Sequence, residues 1–276
     1  MKERVSGGLI VGYVILVILA LVYIYPFVIA VSGSFKTDAE ANGDPMSLIP
    51  QTFTYAAYER LFTGDLPLWA ANSAFITIVV TVFRVFFDSL AGYALSRLKF
   101  RGRGFVFAVF IAVLAVPSVV LMIPRFLVIK ELGLYDTYGG MIIPLLATAA
   151  GVFIMKQFFD SIPVSIEEAA RIDGAGVFRT FWSVTLPMAS PALITLTILS
   201  FQGSWNEFGH FVISRQSPEL HTLTTGVGSL VSGALGSGTQ FPLKLAAAVL
   251  MTIPVAIVFF IFQKRIMSTT EGAEKG

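Results

Sequence analysis

Cysteine is absent from this 276-residue chain, and charge is scarce. Without a thiol there is no disulfide, no thiolate metal ligand and no cysteine nucleophile. Only 13% of the residues are charged, against roughly 25% in an average soluble domain, and 55% are hydrophobic, which excludes an ordinary water-soluble globule. Histidine is almost as rare. His210 and His221 stand without cysteine or carboxylate at ligand spacing, so no metal site is expected and both are read as surface residues. The sequence has neither a Gly-x4-Gly-Lys-Ser/Thr loop to cradle phosphates nor a Gly-x-Ser-x-Gly elbow to present a nucleophile. It is therefore expected neither to hydrolyse ATP nor to act as a serine hydrolase, and no catalytic residue or cofactor of its own is assigned. A net charge of +2 gives no footing for a nucleic-acid partner.

What is abundant is apolar sequence in long runs. Spans are expected at about 8–32, 73–95, 105–123, 138–159, 186–205 and 245–262, each near the ~20 residues that cross a hydrocarbon core. The fold class that follows is an all-α membrane protein of six crossings, one domain over 1–276. The first run follows Lys2 and Arg4 as a signal core would, but it is too long for one and is kept as an uncleaved span. Pro26, Pro117, Pro144 and Pro254 lie in or beside the runs and suit packed, kinked helices. Lys and Arg divide twelve to six between the two sides, with Arg84 inside a span. The richer side includes Lys2, Arg4, Arg97, Arg171, Arg179 and Lys275, so both termini are expected in the cytoplasm. The polar segments 33–71 and 206–244 then face outward as ordered loops or short helices, and 163–185 faces inward.

The inward segment is the most informative. Residues 163–176 read Pro-Val-Ser-Ile-Glu-Glu-Ala-Ala-Arg-Ile-Asp-Gly-Ala-Gly, a short helix outside the membrane. Ser165 is placed to cap its start with Glu168 reaching back, Gly174 to end it, and Glu167 and Arg171 to pair one turn apart. Ile166, Ala169, Ala170 and Ile172 give it a small-residue apolar surface suited to docking. A helix resting on lipid would show bulkier aromatics and more Lys and Arg.

Here the sequence resembles the inner-membrane subunits of binding-protein-dependent ABC importers. Glu168-Ala169-Ala170, Asp173-Gly174-Ala175, Leu186-Pro187 and Pro191 follow that family's loop in order and spacing, with Val184 where isoleucine is common. Residues 132–138, 151–159 and Trp205-Asn206 resemble its carbohydrate branch, and Ser34-Phe-Lys-Thr37 with the short tail resembles the smaller, six-span partner of a heterodimer, as in maltose-type importers. The resemblance implies a type I importer permease fold in the cytoplasmic membrane. The 163–185 loop would carry a coupling helix, and Glu168, Ala169, Ala170, Asp173 and Gly174 would meet a separate ATPase dimer that binds ATP and Mg. The further partners it implies are a second homologous permease, an extracytoplasmic binding protein, membrane lipid and a di- or oligosaccharide, with a polyol or glycerol phosphate as the alternative cargo.

Two further groups carry expectations. Arg84 and Asp88, four apart in the second span, are read as an intramembrane ion pair, with a role in the solute path as the alternative. Trp205, Asn206 and Glu207, ending the fifth span, could stack on and hydrogen-bond a sugar, or could anchor the helix at the interface. A stand-alone secondary transporter would call for inverted repeats, and an intramembrane enzyme for a catalytic cluster in the spans; neither pattern stands out.

Overall fold

The structure is a computed structural model describing residues 7–232 and 240–273. Among them every regular element is helical. Lys2, Arg4 and Lys275 of the charge count lie outside the described residues. Helix α1 (Gly7–Ser34) is followed by the short α2 (Asp38–Gly43) and α3 (Ala56–Thr63), then by the long α4 (Leu66–Arg97). Helix α5 (Arg103–Leu114) leads through a 3-10 turn at Ser118–Leu121 into α6 (Met122–Glu131). Helix α7 (Tyr138–Ile142), a 3-10 turn at Ile143–Leu145 and α8 (Ala149–Ser161) make up the fourth run. The inward segment forms α9 (Val164–Ile172), α10 (Val177–Thr180), a π-helical turn at Phe181–Thr185 and α11 (Leu186–Met188). Helices α12 (Ser190–Trp205), α13 (Gly209–Ser214), α14 (Leu223–Ser232) and α15 (Phe241–Ala273) complete the chain.

Four segments are long and apolar enough to cross a membrane: Gly8–Ser34, Leu66–Arg97, Tyr138–Ser161 and Phe241–Gln263. The count reaches 6 when two bent pairs are each taken as one crossing. The first bends by 102° between Arg103–Leu114 and Ser118–Glu131, and the second by 81° between Val177–Met188 and Ser190–Trp205. Prolines sit at both bends, Pro117 as the N-cap of the 3-10 turn at one, and Pro187 and Pro191 in the first turns of α11 and α12 at the other, positions that proline's fixed φ and missing N–H suit. The expected outer segments do carry short helices, namely α2 and α3 in one and α13 and α14 in the other.

The chain divides into two compact units: Met1–Pro67 with Gly226–Pro254, and Leu68–Thr225 with Val255–Gly276. In the first, the most apolar stretch of α1 is uncovered among the described residues and suits lipid or another subunit, while its end packs inward, where a Cβ at Gly33 would meet the Leu245 side chain at 2.5 Å. Beyond it, the Phe35 ring stacks on Phe53 at 4.7 Å, Ser34 shares a 2.8 Å hydrogen bond with Tyr58, and buried Lys36 donates to the Asp44 carbonyl at 2.9 Å.

The second unit holds the larger core, built from Tyr93, Met155, Phe159, Ile162, Phe181, Ala192 and Leu196. Lipid tails are as apolar as leucine, so helices inside a bilayer associate through close packing, and small residues make that possible. Gly92 of α4 does so against α8: a Cβ there would sit 2.7 Å from Met155 Cβ and 2.9 Å from the Lys156 nitrogen. Gly151 of α8 does so against Asp88, whose carboxylate occupies the space that a Cβ would need.

The ion pair expected between Arg84 and Asp88 is not formed. Arg84 Nε donates to the Leu145 carbonyl at 2.7 Å, and Asp88 accepts from the Thr148 backbone N–H and hydroxyl, both at 2.9 Å. Both side chains serve the interruption of the fourth crossing. Between the 3-10 turn and α8 a carbonyl and an N–H lose their helical partners, and an unsatisfied backbone group in lipid costs several kcal/mol. That need outweighs a direct Arg84–Asp88 contact.

Candidate functional site

Helix α9 begins at Val164, with Pro163 as its N-cap and no side-chain cap bond, so the expected Ser165–Glu168 capping box is absent. Proline's fixed φ already suits a helix start, and the helix opens before Ser165 could act. The other end follows expectation. Gly174 has φ +82°, its N–H donates to the Arg171 carbonyl at 3.0 Å, and the Ala175 N–H donates to the Ala170 carbonyl at 2.9 Å. That pair of bonds is a Schellman motif, which favours glycine because a Cβ penalises the left-handed region.

The phase of α9 on the bundle separates two adjacent glutamates. Ile166 and Ala170 are half-buried with Glu167 inward, whereas Glu168, Ala169, Ile172, Asp173 and Gly174 are exposed. The expected apolar face is therefore split, half of it serving as an anchor and half facing outward. Ile172 is 86% exposed and Phe178 just beyond it 75%, large apolar side chains left uncovered by the described residues.

Glu167 is the anchor, only 2% exposed. Its carboxylate lies 3.0 Å from Arg97 Nε at the end of α4 and accepts from Thr185 of the π-helical turn at 3.3 Å and from Tyr93 at 3.4 Å. Arg171, the expected partner, stands at 3.8 Å with its side chain 54% exposed and contributes little. The same Arg97 donates to the Phe159 and Ile162 carbonyls, each at 2.5 Å, satisfying the end of α8. One buried pair thus joins α4, α8, α9 and the π-helical turn. The outward surface of α9 is accordingly held on a rigid joint rather than hung on a loop.

The other candidate residues come apart. Trp205 is buried (5% exposed) and stacks on Phe201 at 5.8 Å. Asn206 is exposed, and Glu207 is half-buried with its carboxylate accepting the His210 N–H at 2.9 Å. No group of three or more metal-ligating side chains is found among the described residues.

His210 is a second correction. It is 1% exposed rather than on the surface, its Nε2 sits 3.1 Å from the Met141 carbonyl, and Nδ1 has no partner. Nε2 therefore carries the proton of a neutral ring. Burial, helped by the positive charge of Arg125, holds its pKa down to about 4 from the usual 6.5. The unfolded chain then binds a proton that the folded chain refuses between those two values. Stability from this residue is complete above pH 6.5 and falls by about 1.4 kcal/mol per pH unit as pH drops towards 4. Thermal midpoints of the detergent-solubilised protein at pH 7.5 and 5 should differ accordingly, and His210→Asn should flatten the difference.

Comparison with known proteins places this geometry in a family. The model of the binding-protein-dependent transport system inner membrane component matches residues 89–270. The arabinooligosaccharides transport system permease protein AraQ of Halalkalibacterium halodurans is 32% identical over 94% of this chain and 93% of its own. The polygalacturonan/rhamnogalacturonan transport system permease protein YtcP of Bacillus subtilis is 34% identical over 96% of each. A chain in the crystal structure of a bacterial ABC transporter involved in the import of the acidic polysaccharide alginate aligns with a TM-score of 0.79 and 31% identity, over 92% of this chain and 95% of that one. Agreement of this extent, on a bundle whose α9 holds the family's loop motif, makes the chain a member of the binding-protein-dependent transport system inner membrane components, the permease subunits of ABC importers.

Proposed function

We propose that the exposed end of α9, with Glu168, Ala169, Asp173 and Gly174 outermost, is the handle by which a cytoplasmic ATPase moves this bundle. Proteins of this family work with an ATPase and a substrate-binding protein. The observation that carries the reading is the split of the two glutamates: Glu167 is locked to Arg97 inside, and Glu168 is exposed with no partner among the described residues. A surface held this firmly but left uncovered transmits a push instead of absorbing it. The π-helical turn next to it, touching Glu167 through Thr185, is where such a push would reach the broken fifth crossing.

In this reading both termini and α9 lie in the cytoplasm, where ATP and Mg are bound by the ATPase dimer and not by this chain. A second, homologous permease covers the apolar flanks, including α1, and a binding protein delivers the solute from outside. The solute is a sugar, as the names of AraQ and YtcP say for those proteins. A phosphorylated polyol is the alternative, from the 29% identical sn-glycerol-3-phosphate permease protein UgpE of Yersinia pestis.

Absence of cysteine makes the test direct. Ala169→Cys gives the chain a single thiol, and a thiol-to-amine cross-linker on the assembled importer should join it to the ATPase with a yield that changes on ATP binding. Capture of the binding protein instead, or no cross-link in an importer that still transports, overturns the assignment of α9.

A further inference from the structure

Arg84 lies near the middle of α4, where an arginine facing lipid is costly, and it is 7% exposed. Only Nε is engaged, by the Leu145 carbonyl. The two terminal nitrogens, the fork that grips carboxylate or phosphate in two parallel bonds, make no hydrogen bond among the described residues. Neither nearby carboxylate supplies the missing contact. Asp88 is committed to Thr148, and Glu207, whose field reaches Arg84, accepts the His210 N–H.

The surroundings are polar and partly open. Thr77 and Ser204 approach at 3.4 Å and Asp88 and Leu196 meet beside Gly151, so α4 and α12 run antiparallel, and Thr81 and Ser200 stand between these two contacts, one turn on from the first. Both hydroxyls are buried without a partner. Between Ser200 and Ser204 lies exposed Gly203, where a Cβ would stand 3.6 Å from Arg84 Nη1. The absence of a side chain there leaves the guanidinium approachable. Unpaired hydroxyls beside an unpaired fork are what a solute carrying both hydroxyl groups and a negative charge would complete, since a buried donor without an acceptor loses the hydrogen bonds it made to water.

We propose that Arg84, with Thr81 and Ser200, forms a solute-binding site for the oxyanion of an acidic sugar or polyol, a uronate carboxylate or a phosphate. This rests on the sugar-importer reading above and narrows it to anionic cargo. A neutral sugar would occupy the hydroxyls and leave the fork empty.

The test uses the full importer with its binding protein in proteoliposomes and measures ATP-driven uptake of digalacturonate, sn-glycerol 3-phosphate and arabinotriose. Wild type should take up at least one of the two anions, and which one distinguishes carboxylate from phosphate. Arg84→Gln should lower that uptake at least tenfold. Gly203→Val, which keeps the arginine and fills the space beside Nη1, should lower it several-fold. Uptake of arabinotriose alone, or anion uptake unchanged in both variants, overturns the anionic site while leaving a sugar importer standing. Uptake of none of the three overturns the sugar reading as well.

Discussion

Replacing Arg97 by methionine is expected to destabilise the protein by about 3–5 kcal/mol and to stop solute uptake, because removing one member of a buried ion pair strands the other. The stranded group is Glu167, 2% exposed, whose remaining contacts are two hydroxyls at 3.3 and 3.4 Å and an exposed arginine at 3.8 Å. The Phe159 and Ile162 carbonyls lose their donor in the same step. Glu167 must then take up a proton or leave its pocket, and either outcome frees α9 from α4. Glu167→Met added to Arg97→Met removes the buried charge and should recover part of the stability, because an apolar pair of similar volume is often tolerated. It should not recover uptake, since the joint between α9 and the bundle is still missing. A thermal midpoint within about 0.5 kcal/mol of wild type, together with normal uptake, in Arg97→Met would show that the pair does not hold α9.

Which parts of this were legible in the sequence follows from the range of the interactions concerned. The apolar runs and the helix end at Gly174 depend on residues within a few positions of one another, so composition and local spacing show them. The breaks in the crossings do not. Pro26 and Pro254 stay inside continuous helices, while Pro117 and the Pro187–Pro191 pair stand at bends of 102° and 81°. The sequence offers the same residue each time. At the interruption beside Pro144 the freed backbone is taken up by Arg84 and Asp88, which bond Leu145 and Thr148 from some sixty positions away. Such contacts also redirected the expected Arg84–Asp88 pair.

The two adjacent glutamates show the same limit within the site. Glu167 and Glu168 are chemically identical, and only the phase of α9 makes one an anchor and the other a free surface. One signal was available: Ile166 and Ala170, one turn apart, mark an inward stripe that includes Glu167 between them. Its partner Arg97, seventy residues earlier, left no local trace. His210 was misjudged for a related reason, since a histidine beyond the end of a crossing looks alike whether it faces water or a neighbouring helix, and its burial beside the Met141 carbonyl depends on a residue some seventy positions away.

The turn at Gly174 yields the second large effect, and its strength is a separation of two readouts. A Cβ at Gly174 meets nothing within 4 Å, so within the chain a substitution costs only the strain of φ +82°, about 1–2 kcal/mol for a leucine and less for asparagine. Glu168 is exposed with no partner among the described residues, so Glu168→Lys should leave stability within about 0.5 kcal/mol. If this end of α9 sits in a cleft of the ATPase, uptake and binding-protein-stimulated ATP hydrolysis should fall at least a hundredfold in both Gly174→Leu and Glu168→Lys. Gly174→Asn should be the most stable Gly174 variant and still transport poorly, since it relieves the strain but fills the cleft. Loss of transport in proportion to loss of stability across the three variants would instead assign the turn a purely structural role, because a helix cap does its work inside the chain and a coupling surface does its work outside it.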